Sequence, residues 1–201
     1  FKDEEIIWGA DPGLGIDVLK KLGYTGKGAI IAYADGKINP KGSEQFKNAD
    51  IVYHKFPLNS LDTDEWHGYS VVSLILGKDI GTAPDVKLHY FGYMPDSNDY
   101  QPVADVIREV IRFNETLPED EKISMLGFSN NVYGIDETHT INYQDARLAA
   151  EECRKAGIMI FFCGENSALY YNFATLKKGT QEFITLTQDK NIEKPFIDGS
   201  V

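Results

Sequence analysis

The sequence lacks long hydrophobic runs and lacks an excess of basic residues. Its 201 residues carry 20 Lys and Arg against 31 Asp and Glu, which gives a net charge of −11. Binding to nucleic acid needs clustered Lys and Arg to meet the phosphates, so this balance excludes a broad nucleic-acid surface. No apolar stretch approaches the roughly 20 residues that cross a bilayer, and an acidic surface is repelled by anionic lipids. We therefore expect neither a nucleic-acid partner nor a membrane partner.

Cysteine is also scarce. The two cysteines are Cys153, near the end of a predicted helix, and Cys163, at the far end of the next predicted strand. Since a helix rises about 1.5 Å per residue and a strand about 3.3 Å, the two sulfurs are predicted to lie well beyond bonding distance. We expect two free thiols, which do not decide between a reducing and an oxidising compartment.

The sequence starts at Phe1, without a basic start, a hydrophobic signal region or an initiator Met. A mature secreted protein has this pattern, and so does a piece of a longer protein. Localisation therefore stays open at this point, with secretion as the favoured alternative.

Apolar segments of two kinds alternate along the chain. Short apolar runs are typical of buried parallel strands, and apolar residues spaced three and four apart are typical of helices. The predicted strands span 29–34, 51–56, 86–91, 123–128, 158–163 and 183–186, and the predicted helices span 14–22, 67–77, 103–113 and 143–155. Strands that alternate with such helices form βαβ units around a mainly parallel sheet. We therefore predict one α/β domain over residues 1–201.

Three of the predicted strands end at residues that carry chemistry. Asp35 directly follows the first strand, Gly127 lies near the end of another, and Asn166 follows the strand that ends at Cys163. In parallel sheets the active groups gather at the carboxyl ends of the strands. The pattern therefore places these three positions along one edge of the sheet.

Three ordered segments resemble the subtilases, the subtilisin-like serine proteases. They are the glycine turn 23–28 with the strand to Asp35-Gly36, then His67-Gly68 with the turn Gly81-Thr82-Ala83-Pro84, and then the strand to Gly164-Glu165-Asn166. The chain order of Asp before His is the order found in subtilisin. The resemblance covers about residues 7–166, and it implies a three-layer subtilisin-like fold, incomplete at its C-terminus, and serine endopeptidase activity on peptides or proteins.

The resemblance also implies a role for each matching residue. Asp35 would orient the imidazole of His67, and His67 would act first as general base and then as general acid. Asn166 would assist the oxyanion, with Glu165 inserted where the family places Asn directly after Gly. Leu126, Gly127 and Phe128 match the strand whose backbone holds an extended peptide substrate. No cofactor is implied. Asp62, Asp64 and Glu65 before His67 read as a solvated acidic loop, so we expect no metal site.

The catalytic serine of the family has no convincing match. The nearest string is Asp198-Gly199-Ser200-Val201, and no helix follows Ser200 to hold it. We expect that a C-terminal fragment carries the serine and that the 201 residues alone are inactive. Two alternatives stay open: a non-catalytic pseudoprotease that binds extended peptides, and an unrelated doubly wound domain in which Asp35 contacts a sugar or a nucleotide. Side chains of Asp35 and His67 that point apart would favour the last one.

Overall fold

The computed structural model describes residues 15–55, 66–93, 99–129 and 141–162. The strands in these ranges are β1 (Ile30–Asp35), β2 (Ile51–Lys55), β3 (Lys87–Gly92), β4 (Met125–Phe128) and β5 (Met159–Phe162). The helices there are α1 (Ile16–Lys21), α2 (Trp66–Leu76), α3 (Gln101–Thr116) and α4 (Tyr143–Lys155). The predicted strand at 183–186 lies outside the described residues. No helix within these ranges is both long and apolar enough to cross a membrane.

All five strands join one parallel sheet in the order β2-β3-β1-β4-β5. β1 therefore lies at the centre, between β3 and β4. Because every strand runs in the same direction, the carboxyl ends of β1 and β4 meet at one edge of the sheet. This is the edge at which Asp35 ends β1. The predicted α/β class with a parallel central sheet is confirmed.

The side chains of β1 alternate between two hydrophobic cores. Ile31 packs with residues of α2, among them Val72 and Leu76, on one face of the sheet. Ala32 and Ala34 belong to the other core, which also contains buried residues of α3 and α4. This period of two is why a continuous apolar run forms a strand buried on both faces. The two cores give the three-layer arrangement of helix, sheet and helix.

The side chain of Asn114, near the end of α3, makes a buried hydrogen bond to the backbone of the segment that precedes β4. Its side-chain Oδ1 accepts a hydrogen bond from the backbone N–H of Ile123 at 2.7 Å, and both residues are buried. Asn114→Ala would leave that N–H without a partner, so we expect the free energy of unfolding to fall by about 1–3 kcal/mol. Urea unfolding measures this. Glu115→Ala, at the exposed neighbouring position, is the control and should change stability by less than about 0.5 kcal/mol. An equal effect of the two substitutions would contradict the prediction.

Candidate active site

Asp35 and His67 form a direct hydrogen bond at the carboxyl edge of the sheet. Asp35 is the last residue of β1 and His67 is the second residue of α2. The Nδ1 atom of His67 lies 2.8 Å from Oδ1 of Asp35. The aspartate side chain is 6% exposed and the histidine side chain is 47% exposed. The pair thus combines a buried carboxylate with an imidazole that substrate can reach.

This contact selects one tautomer of the His67 ring. An ionised carboxylate only accepts hydrogen bonds, so Nδ1 of His67 carries the proton and donates it. The second ring nitrogen, Nε2, then keeps its lone pair. An imidazole held in this way can take a proton from a hydroxyl group, and the carboxylate stabilises the imidazolium that forms.

The Asp35 carboxylate is itself held by the backbone. Its Oδ1 also accepts a hydrogen bond from the N–H of Gly36 at 2.6 Å. Oδ2 is buried and has no hydrogen-bond partner among the described residues. Two donors on a single oxygen hold the carboxylate against rotation, so its position follows that of the Gly36 peptide group.

The start of α2 approaches the end of β1 very closely, and Gly68 permits this approach. A Cβ atom at position 68 would collide with the carbonyl oxygen of Gly36 and with the Tyr90 hydroxyl, and would lie 2.9 Å from Ile38 Cγ2. Only glycine leaves room for this packing. The exposed Trp66 contacts the His67 ring edge to face, with ring centroids 5.5 Å apart. The sequence analysis missed Trp66 and Tyr90, since neither belongs to the motifs that identified Asp35 and His67.

Leu126, Gly127 and Phe128 lie inside the sheet. They pair with β1 on one side and with β5 on the other, and Leu126 and Phe128 are buried. These three residues therefore have a neighbouring strand on each side, and their role in holding an extended peptide stays a prediction. The backbone that follows β4 begins at Ser129. Its side chain is 2.8 Å from the hydroxyl of Tyr33, whose ring covers Gly127.

The remaining predicted site residues fall outside the described part of the chain. These are Asn166, its neighbour Glu165, the serine at position 200, and the acidic residues at positions 62, 64 and 65. Within the described ranges, no three His, Cys, Asp or Glu side chains form a group able to hold a metal ion. Nothing in the structure therefore assigns the oxyanion donor or the nucleophile.

Cys153 does not fit the role of nucleophile. It belongs to α4, faces the core at 0% exposure and has a free thiol. Burial raises the pKa of the Cys153 thiol to about 12. A thiol that stays protonated and cannot be reached by substrate does not attack carbonyl carbon. Its companion, Cys163, lies outside the described residues.

Comparisons with known proteins find similarity of fold and not of sequence. No protein-family model and no curated protein matches the chain. The structure of the prenylagaramide maturation protease PagA is 16% identical, with a TM-score of 0.54 over 74% of this chain and 50% of that chain. The PatG macrocyclase in complex with peptide is 11% identical, with a TM-score of 0.53 over 74% of this chain and 55% of that one.

A second structure of the same protein, the patellamide maturation protease PatG, is 10% identical, with a TM-score of 0.52 over 75% of this chain and 58% of that one. These neighbours are subtilisin-like maturation proteases, and the chain has their α/β fold. It spans about half the length of the neighbours it matches. The likeness establishes the arrangement of the sheet and its helices, and the chemistry has to be argued from the Asp35–His67 pair.

Proposed function

We propose that this chain forms the aspartate–histidine part of a subtilisin-like serine endopeptidase. The observation that carries the proposal is the 2.8 Å hydrogen bond between His67 Nδ1 and Asp35 Oδ1 at the carboxyl edge of a parallel sheet. A buried carboxylate that orients a half-exposed imidazole is the general-base arrangement of serine proteases. The arrangement also argues against the doubly wound ligand-binding alternative, which expected the two side chains to point apart.

In the proposed reaction His67 moves one proton in each direction. Its Nε2 takes the proton of a serine hydroxyl while the serine oxygen attacks the carbonyl carbon of the scissile peptide bond. His67 then returns this proton to the leaving amine, and an acyl-enzyme remains. A water molecule releases the acyl group by the same two proton transfers. Asp35 stays ionised throughout and stabilises the imidazolium.

The serine comes from outside the described residues. We propose that a C-terminal segment carries it, either continuous with this chain or separated from it by cleavage. The neighbours' greater length agrees with this proposal, because this chain covers 50% of PagA and 55% of the PatG macrocyclase. Asn166 remains the proposed oxyanion donor, a role whose loss costs about 3–4 kcal/mol of transition-state stabilisation.

The proposed substrate is a peptide or protein in extended conformation. One neighbour, the PatG macrocyclase, is a complex with peptide. In this chain β4 is paired on both sides, so we place the substrate backbone beyond Phe128, at the carboxyl end of β4 next to Ser129. An extended peptide there would lie on the same edge of the sheet as Asp35. The reaction as written needs no cofactor.

A phosphonylating serine-hydrolase reagent, followed by denaturing intact-mass spectrometry, tests the catalytic proposal. The reagent reacts with a serine that a base has activated, so we expect an adduct in the native protein and none in His67→Gln. An adduct on a second, co-purifying polypeptide assigns the serine to a cleaved C-terminal fragment. An adduct on this chain that disappears in Ser200→Ala assigns it to Ser200. A folded protein that includes its C-terminal segment and still takes up no reagent contradicts the catalytic proposal.

The second candidate function is peptide binding without hydrolysis, as in a pseudoprotease. The observation that favours it is Glu165, which stands directly before Asn166 in the sequence and would repel an oxyanion there. Fluorescence anisotropy with a labelled unstructured protein separates the two functions. Saturable binding with no cleavage, unchanged in His67→Gln, supports the pseudoprotease. Cleavage that is lost in His67→Gln supports the enzyme.

A further inference from the structure

A row of three tyrosines crosses the sheet one layer below the Asp35–His67 pair. Tyr53 of β2 is in register with Tyr90 of β3, and Tyr90 is in register with Tyr33 of β1. All three pack in the core on the α2 side of the sheet. In β1 the row lies two residues before Asp35, so Tyr33 and Asp35 point to the same face. The tyrosine row, as these three residues are called below, therefore underlies the candidate site.

Tyr90 is the central member of the tyrosine row and the most buried one, at 0% exposure. Its hydroxyl donates a hydrogen bond to the carbonyl oxygen of Gly36, the residue that follows Asp35. The same hydroxyl and carbonyl lie against Gly68, where a Cβ atom would collide with both. The end of β1, the middle of β3 and the start of α2 meet at this point.

We propose that Tyr90 is a positioning residue for the Asp35–His67 pair. The path has three hydrogen bonds. The Tyr90 hydroxyl holds the Gly36 carbonyl, the Gly36 N–H holds Asp35 Oδ1, and Asp35 Oδ1 accepts from His67 Nδ1. Gly36 is thus held through its carbonyl and holds the carboxylate through its N–H. The role of the Asp35–His67 pair in catalysis rests on the proposed function, whereas the effect of Tyr90 on the geometry of the pair does not.

The surroundings of Tyr90 suit this role. Its ring stacks on that of Tyr53, with centroids 5.9 Å apart and an interplanar angle of 19°. This packing leaves the side chain little rotational freedom. Burial, followed by the negative charge of Asp35, raises the pKa of Tyr90 well above its ordinary value. The hydroxyl therefore stays protonated at neutral pH and can donate its hydrogen bond.

Tyr90→Phe tests the inference, because it removes the hydroxyl and keeps the ring and its stacking. The readout is ¹H–¹⁵N NMR of the imidazole nitrogens in the 201-residue chain with labelled histidine. It reports the tautomer of His67 and the far-downfield proton of an Nδ1–H bonded to a carboxylate. His67→Gln assigns the signals among the four histidines of the sequence. We expect Tyr90→Phe to lose the downfield proton and to shift His67 towards the Nε2–H tautomer.

Tyr53→Phe is the matched control, since it removes a neighbouring hydroxyl of the same row that does not bond to Gly36. It should keep the downfield proton. A Tyr90→Phe protein that is folded by circular dichroism and keeps the wild-type His67 signals overturns the inference. Equal loss of the signals in both variants also overturns it, because the effect would then be general loosening of the sheet.

Gly68→Ala tests the same contact from the side of α2, and it decides the matter if Tyr90→Phe does not fold. The added methyl group would collide with both the Gly36 carbonyl and the Tyr90 hydroxyl and break their contact, so the same loss of the His67 signature is expected. Unchanged signals in a folded Gly68→Ala protein overturn the inference. None of these measurements depends on peptide hydrolysis. A failed phosphonylation test would remove the catalytic proposal and leave this result standing.

Discussion

Asp35→Asn is expected to lower kcat/KM for peptide hydrolysis by about 10⁴-fold while leaving the fold intact. Oδ1 of Asp35 accepts both the Gly36 and the His67 hydrogen bonds, and an asparagine oxygen can accept them in the same place. The substitution therefore removes mainly the negative charge. Without this charge, the imidazolium that forms in the proposed reaction when His67 takes the serine proton would lose its stabilisation. A labelled unstructured protein as substrate, given to the serine-carrying form of the enzyme, measures the loss.

The size and specificity of this loss distinguish catalysis from general damage. Asp85→Asn makes the same chemical change at an exposed position away from the site and should leave kcat/KM within about twofold of the wild type. Thermal unfolding of the two variants checks that both are folded. An Asp35→Asn enzyme that keeps a tenth or more of the wild-type rate would show that the charge of Asp35 is not part of the mechanism.

Acid is expected to destabilise the fold through a pair of histidines on the other face of the sheet. His54 Nε2 and His89 Nδ1 are 3.0 Å apart, so one ring donates a hydrogen bond to the other. The His54 ring stacks on Phe91, with centroids 4.3 Å apart, and contacts Phe113 of α3 edge to face. His89 is 3% exposed, and its Nε2 has no partner in the described ranges. One proton can lie between His54 Nε2 and His89 Nδ1. A second proton on these two nitrogens would place two N–H groups against each other.

The direction of the pH effect follows from the two pKa values. Burial and the neighbouring His54 lower the pKa of His89 to about 4, and burial lowers the pKa of His54 although Glu109 raises it in part. As the pH falls, the two histidines of the unfolded chain bind protons near pH 6.5, whereas those of the folded chain bind them only at lower pH. Stability is therefore fully present above about pH 6.5 and is lost as the pH falls towards about 4. For His89 alone the loss is about 2–3 kcal/mol.

Urea unfolding between pH 7 and pH 4.5 measures this loss. His89→Phe is the informative variant, because a phenyl ring can keep the contact that His89 makes with Phe113 and carries no titrating group. We expect its stability to fall less steeply with acid than that of the wild type. The ion-paired carboxylates of Glu121 and Asp145, whose pKa values are lowered by Lys87 and Arg108, contribute only at lower pH. Equal pH slopes in the two proteins would contradict the prediction.

Much of the fold follows from the apolar pattern. The helix predicted at 143–155 is α4 with the same bounds, and the predicted strand at 29–34 is β1 shifted by one residue. The errors in the predicted bounds arise because the apolar pattern records burial and does not record where a helix or strand begins and ends. α3 runs from Gln101 to Thr116, beyond the predicted 103–113, since polar residues at its ends are helical without carrying the apolar pattern. Ile123 was included in a strand because it is apolar, yet it is buried in the connection before β4.

Asp35 and His67 were found by their resemblance to a family, and the structure places their side chains in contact. The interior position of Leu126–Phe128 could not be found in this way. Whether a strand has a free edge depends on its neighbours, and β4 gains both of its neighbours from distant parts of the chain. The same limit applies to Tyr90, which reaches Gly36 across 54 positions of sequence.

The sequence by itself determined the α/β class, the alternation of buried strands with helices, and the chemical identity of the candidate pair. These properties are local, because the period of apolar residues and a short motif are both read within one segment. Only the tertiary structure decided the strand order, the tyrosine row and the contact between His54 and His89. Each of these depends on the register between strands that are far apart in the chain. That register is set by packing of the whole sheet against its two layers of helices, which no single segment encodes.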